Sequence, residues 1–268
     1  MWLWYYARQR DFYFIHENLE EKINNHHLSV NINMRQAAES SNKKKQAFIT
    51  SIENLPKELL VEILARVGTS SLVDLFSAKL SCKVFKKAAE DKCIYQRVAL
   101  ELDRFPLVSW KYLNENKRAF LTRCEECQNP EIMYRQAVLD YFSGKGTESG
   151  LECLERAVSS GHIGAMYVKS IVLIFSGNNE SKETGIKWLA HMKNCRSRGL
   201  KVQREKLISM LKFIWLNNPL LMFRPVCCTR EDNHRRRGGW SIDEEEVYCE
   251  ACAADTEIGL FHNIFPRP

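Results

Sequence analysis

No stretch of the 268-residue sequence holds the roughly 18 consecutive apolar residues that a membrane-spanning helix needs, so no span is predicted. The opening, MWLWYYARQRDFYFIHENLEEK, is aromatic, but Arg8, Arg10 and Asp11 break it early. It lacks a basic start, an apolar stretch and a small-residue cleavage site in that order, and no secretory signal is read there. Without an export signal, the ten cysteines are expected in a reducing compartment, the nucleus or the cytoplasm. Metal ligation or plain burial is favoured there over disulfides. No phosphate-cradling glycine loop is present. No Ser, Asp or Cys stands at a catalytic spacing from His162 or His191, which are read as packing or helix-surface residues. The charge carries little information either: 39 Lys+Arg against 33 Asp+Glu leave +6, too diffuse to argue nucleic-acid binding.

What the sequence does contain is helical patterning. The segment LPKELLVEILARV places Leu55, Leu59, Leu60, Ile63, Leu64 and Val67 on one broad face of an α-helix. Pro56 suits the first turn, Glu58 the positive end of the dipole, and Gly68 a stop. Ser71 and Asp74 read as a capping box opening a second helix with Leu72, Val73, Leu75 and Phe76 as its apolar members. Ser81 is expected to cap a third, carrying Cys82, Phe85 and Ala88–Ala89. A three-helix unit of this size is marginal alone, so part of its leucine face must be covered by the rest of the chain or by a partner.

The ordered set Leu55, Pro56, Glu58, Leu59, Ile63, Leu64, Leu75, Ser81, Cys82, Lys83 and Phe85, between about Ile52 and Val98, resembles the F-box. Lys83 stands where family members often carry Arg. The resemblance implies a docking face for a Skp-type adaptor, and through it a cullin-RING ubiquitin ligase. It further implies adaptor contact for Leu55, Pro56, Glu58, Leu59, Ile63, Leu64, Leu75 and Phe85.

Downstream, FSG at Phe142–Gly144 returns at Phe175–Gly177, a shift of 33, and Gly150-Leu151 with Leu154 returns as Gly185-Ile186 with Leu189, a shift of 35. A period near 34 marks stacked helix pairs. LERAVSSGHIGAMY resembles the Sel-like branch of the tetratricopeptide repeats, which makes Ala157, Gly161 and Ala165 small packing positions. Flanking helices are expected to cap the two visible copies. A plain antiparallel bundle with a chance echo is the alternative, all-α either way.

Cys82, Cys93, Cys153 and Cys195 stand alone on helical segments and read as small apolar residues. Cys124 and Cys127 form a CxxC with neither a second pair nor a βαβ context beside it. The tail differs. After Asn217-Asn218-Pro219 ends a helix, Cys249 and Cys252 form a CxxC knuckle suited to half a tetrahedral zinc site. Cys228 or Cys227 with His234 would complete it, and His262 is a further candidate. The preferred ligand set is Cys228, His234, Cys249 and Cys252, a closed structural site. Arg235–Arg237, beside Trp240, face the acidic IDEEEVY run and are expected to pair with it in a hairpin-like finger.

The layout is similar to plant F-box proteins with repeats of this kind. The expected fold is all-α: a three-helix F-box, a short α/α repeat body and a small Cys/His-rich tail. The expected division is an extension over 1–47, an F-box over 48–100, connecting helices over 101–130, repeats over 131–216 and the tail over 217–268. Residues 1–33 show no steady period and are expected to be disordered or foreign to the native protein. Lys43–Lys45 read as a solvated linker. The function implied is a non-catalytic substrate receptor of a Skp–cullin–F-box ligase, with the repeats and tail holding an unknown target protein and no membrane or nucleic-acid partner. The alternatives are an adaptor-independent scaffold or zinc-finger-like regulator that grips nucleic acid through Arg235–Arg237, and a thiol enzyme built on Cys124 or Cys249.

Overall fold

The structure, a computed structural model, describes residues 55–100, 115–176, 178–195, 199–212, 214, 216–218, 223–229 and 249–263. The expectations for residues 1–33, for Lys43–Lys45 and for the stretch from His234 to Tyr248 lie outside them. Among the described residues every regular element is an α-helix.

The first four helices are α1 (Lys57–Ser70), α2 (Leu72–Ser81), α3 (Lys83–Ala88) and α4 (Lys92–Arg97). Helix α1 turns Leu60, Val61, Leu64 and Ala65 inward. They meet Leu72 and Leu75 of α2 and Ile94, Tyr95 and Val98 around α4 in one core. Fully burying a Leu or Ile stabilises by about 1.5–3 kcal/mol, which is what holds four such short helices together. The capping reading holds in part: the Ser71 hydroxyl accepts from the Asp74 N–H at 3.2 Å. The Ser71 N–H bonds back to Val67 instead, so only one arm of the box forms.

Two expectations are corrected. Gly68 does not stop α1, which runs on to Ser70; its missing Cβ instead admits Leu75 Cδ2, which would lie 3.0 Å from it. Nor does Ser81 cap the next helix, because its hydroxyl donates to the Ala78 carbonyl at the end of α2. The Cys82 sulfur takes the cap, accepting from the Phe85 N–H at 3.4 Å. The further short helix Lys92–Arg97 makes four helices where three were expected.

Helix α5 (Glu115–Glu126) packs onto this core with Leu121 and Cys124, and Phe120 sets its ring 5.5 Å from Phe76 and 5.8 Å from Tyr95. Two antiparallel pairs follow: α6 (Pro130–Ser143) with α7 (Thr147–Ser159), then α8 (Ile163–Phe175) with α9 (Asn179–Cys195). Their matching pieces explain the echo. The Phe-Ser that begins each FSG string ends the first helix of a pair, and Leu154 and Leu189 sit in the common core. Gly150 and Gly185 lie where the second helix presses on the first: a Cβ at Gly185 would stand 2.6 Å from the Ser170 carbonyl, and one at Gly150 would stand 3.0 Å from the Tyr141 nitrogen. Ala157 and Ala165 are fully buried as expected. Gly161 is not a packing position, since nothing lies within 4 Å of its Cβ site; its φ of +78° is what the turn into α8 requires.

Helix α10 (Gly199–Leu211) covers one side of the pairs, ending well before Asn217-Asn218-Pro219. Asn217 and Asn218 instead cover the end of α6, bonding to the carbonyls of Phe142 and Tyr141. Helix α11 (Glu250–His262) inserts Ala254, Ile258 and Phe261 into the repeat core. Phe261 there meets Phe142 and Phe175 edge-on, with centroids 6.0 and 6.2 Å apart. No described helix is long and apolar enough to cross a membrane.

Candidate functional sites

The sequence proposes eight adaptor-contact residues, and the structure divides them. Leu55, just before α1, and Leu59 and Ile63 on one side of it are spaced four residues apart and are 37%, 52% and 43% exposed. Pro56 and Glu58 are exposed beside them at its start, and Phe85 is half-buried against the core. Leu64 and Leu75 are buried, at 1% and 2%, beneath this face. They belong to the inner core of the four-helix module. Leu80, at the end of α2, was not singled out by periodicity and is 75% exposed. An apolar side chain near the last turn of a short helix was the available signal.

The junction between the four-helix module and the repeats is built on polar side chains. Asn129, 1% exposed, caps α6 through the Glu131 N–H and donates both Nδ2 hydrogens back, to the carbonyls of Tyr95 at 2.9 Å and Val98 at 3.0 Å. Arg135, 6% exposed, donates to the Leu100 carbonyl at 2.5 Å and to Glu131 Oε1 at 2.6 Å. His162 completes the set. Its Nδ1 accepts from the Ala165 N–H and so caps α8, which leaves the ring hydrogen on Nε2 to bridge to Glu131 Oε2 at 2.9 Å. Burial pushes the Glu131 carboxyl up, but the His162 hydrogen bond and the Arg135 charge outweigh it and hold it below the ordinary value. Along this junction runs a cavity of about 1310 Å³, lined among others by Arg66, Arg97, Glu131, His162 and Lys206. Sequence patterning missed Asn129, Arg135 and this role of His162; Asn129-Pro130 before a helical run was the one local hint of a cap.

The tail brings three of its cysteines together. Cys228, Cys249 and Cys252 have sulfurs within 4.8 Å of one another, the one such group among the described residues, and all three are half-buried. The Cys228 and Cys249 sulfurs are 3.9 Å apart. That is too long for a disulfide, and it matches the edge of roughly 3.8 Å that four sulfurs about 2.3 Å from one tetrahedral ion would have. Asp255, one turn past Cys252, fixes the approach of the other segment: its carboxylate accepts the N–H of Cys227 at 2.7 Å and of Cys228 at 3.0 Å.

The thiols differ. Burial raises Cys249, but the N–H groups of Cys252 and Ala251 at the start of α11, with the neighbouring thiols, bring it below the usual value. Burial and the neighbouring thiols push Cys252 up to about 12, so Cys249 ionises first. The cluster is able to hold a soft divalent metal.

The structure also settles the doublet. Cys227 packs against the repeat core, and burial together with Asp255 pushes its thiol up to about 12. His262 is ten residues beyond Cys252 on the same helix, about 15 Å along its axis, and is no ligand to this cluster. His234 lies outside the described residues. Cys124 and Cys127 are buried in the other core, and burial pushes Cys124 up to about 12.

A family model described as F-box-like matches residues 52–101, and one described as plant tetratrico peptide repeats matches residues 102–212. The chain is 32% identical over 154 residues, 58% of its length, to an Arabidopsis thaliana protein named for an F-box. That match spans 50% of the relative, so the chain covers about half of it. It is 28% identical over 137 residues, 51% of its length, to a second Arabidopsis thaliana F-box protein, of which 81% is covered. No solved structure matches.

Proposed function

We propose, for a chain that is a plant-type F-box protein with helical repeats, that it is the target-holding receptor of a Skp–cullin–F-box ubiquitin ligase. The F-box docks a Skp-type adaptor, and the adaptor joins it to a cullin. The repeats and tail hold the target, and the chain supplies positioning rather than bond chemistry. The nucleus or the cytoplasm is the expected place of action.

The observation that carries this reading is the Leu55, Leu59 and Ile63 stripe, left uncovered on α1 while its neighbours Leu60 and Leu64 are buried. An apolar stripe at this spacing is what an adaptor groove would take up. The cavity beside the junction, with Lys206 of α10 in its lining, supports a target contact on the repeat side. We assign one structural zinc ion to the site expected from Cys228, His234, Cys249 and Cys252; the spacing of the three cysteine sulfurs, the members of that set among the described residues, supports it.

The test is co-purification with a Skp-type adaptor of the wild type against Leu55→Ala/Pro56→Ala/Leu59→Ala. These side chains are exposed, so the variant should keep its circular dichroism. Each buried anchor at such an interface is worth about 1–2 kcal/mol, so the triple change should weaken binding on the order of 100-fold or more. Adaptor retained by the variant, or absent from both samples, would sink the proposal.

A further inference from the structure

Helix α11 depends on its neighbours to keep its shape. It is 13 residues long, a length at which an isolated helix is marginal in water. The preceding described segment, Phe223–Thr229, forms no helix, and twenty residues separate Cys228 from Cys249. Yet α11 closes the end of the repeat body. Its Phe261 lies between Phe142 and Phe175, and its buried Glu257 accepts from the Tyr167 hydroxyl at 2.7 Å and from Arg204 at 2.5 Å. Stacked helix pairs need such a terminal cap.

The cysteine cluster sits at the start of this helix. Cys249 precedes its first turn and Cys252 lies within it, while Cys228 belongs to the segment that packs alongside. That segment is tied down on both sides. Lys182 of α9 donates to the Val226 carbonyl at 3.2 Å, and Arg224 donates to the Asp255 carbonyl at 2.8 Å. The Asp255 carboxylate then orients Cys227 and Cys228, aiming one into the core and leaving the other to the cluster.

We infer that the ion held by Cys228, Cys249 and Cys252 fastens α11 to the repeat body, with Asp255 positioning Cys228, so that metal occupancy decides whether the repeat stack is closed. This rests on the zinc assignment above. The thiolates are donated to the metal, and their protons leave to solvent. No bond in any substrate is made or broken. With the ion removed, the three sulfurs lose their common partner and the start of α11 is free to leave, which uncovers Ala254, Ile258 and Phe261 and the core face beneath them.

The test is hydrogen exchange on the full chain, with zinc content measured on the same samples, before and after a zinc chelator and after zinc is returned. We expect about one zinc per chain. Chelation should speed exchange in residues 250–262 by tenfold or more and leave the α1–α4 helices unchanged; returned zinc should restore protection. Asp255→Asn should lower zinc affinity by about 10- to 100-fold, as loss of an orienting partner does. Cys252→Ser should abolish binding, whereas Cys153→Ser, away from the cluster, should not. Because chelation is reversible on the wild type, a misfolded variant cannot decide the matter. If zinc leaves while 250–262 stays protected, the fastener is refuted and the zinc assignment stands. If the native chain carries no zinc, or a Cys228–Cys249 disulfide instead, the assignment fails and the fastener with it.

Discussion

Asn129 and Glu131 show how single side chains join the two halves of this chain. Asn129 is the more vulnerable. Replacing it by Ala removes the α6 cap and strands two buried carbonyls, Tyr95 and Val98. A lost cap costs about 1 kcal/mol and each of the two unsatisfied buried groups about 1–3 kcal/mol, so Asn129→Ala should lose roughly 3–7 kcal/mol in a urea melt. Glu131 makes a pH prediction. Its folded carboxyl titrates below its unfolded value of 4.5, so it contributes stability above pH 4.5 that is lost as pH falls through the folded value. Melting temperature recorded from pH 7 to 3 should therefore fall more steeply for the wild type than for Glu131→Gln. Equal slopes would mean that the junction does not depend on this charge. The Asn129 role was not legible beforehand, because the carbonyls it meets lie 34 and 31 residues away; for Glu131 only the pairing with Arg135 four residues on is local, and its bond to His162 crosses 31 residues.

At the scale of elements, the repeat was legible because close helix contact demands small residues at fixed places. Gly150 and Gly185 recur for that reason, and their roles can be separated from that of Gly161. Ala at Gly185 would force its Cβ to 2.6 Å from the Ser170 carbonyl, a backbone atom with nowhere to go, and should pry α9 from α8. Ala at Gly161 has space and meets only the left-handed backbone, a cost of about 1–2 kcal/mol. Thermal unfolding should therefore rank Gly185→Ala well below Gly161→Ala; the reverse order would show that the pairs tolerate a wider separation. Capping was legible where a hydroxyl led, as at Ser71. It was not legible at Cys82, a residue that rarely signals a cap, and the helix boundary was misplaced there by one residue.

Across the whole molecule, α6 belongs to both cores. Ile132 sits in the F-box core, and Met133, Tyr134 and Val138 in the repeat core. One rigid rod serving both, with Asn129 and Arg135 bonded across the junction, should make the described part unfold as one unit. Calorimetry should give a single transition with calorimetric and van't Hoff enthalpies equal, and Asn129→Ala should split or broaden it. Two separate transitions in the wild type would show that the adaptor face and the repeats are mechanically independent. The distinction bears on function, because a receptor presents its target at a set distance only if the two parts move together.

The sequence by itself determined the helical class, the exposed apolar stripe and the knuckle at Cys249 and Cys252, since each depends on spacing along one helix or one turn, and the repeat period, since the same small residues return wherever a helix pair closes. Tertiary structure alone decided that Leu64 and Leu75 lie beneath the exposed Leu55, Leu59 and Ile63 stripe, that Cys228 and not Cys227 joins the cluster, and that His262 does not. Those outcomes depend on which way a side chain points once distant segments pack. That direction is set by the neighbour it meets, such as the Asp255 carboxylate 27 residues from Cys228, and not by its own place in the chain.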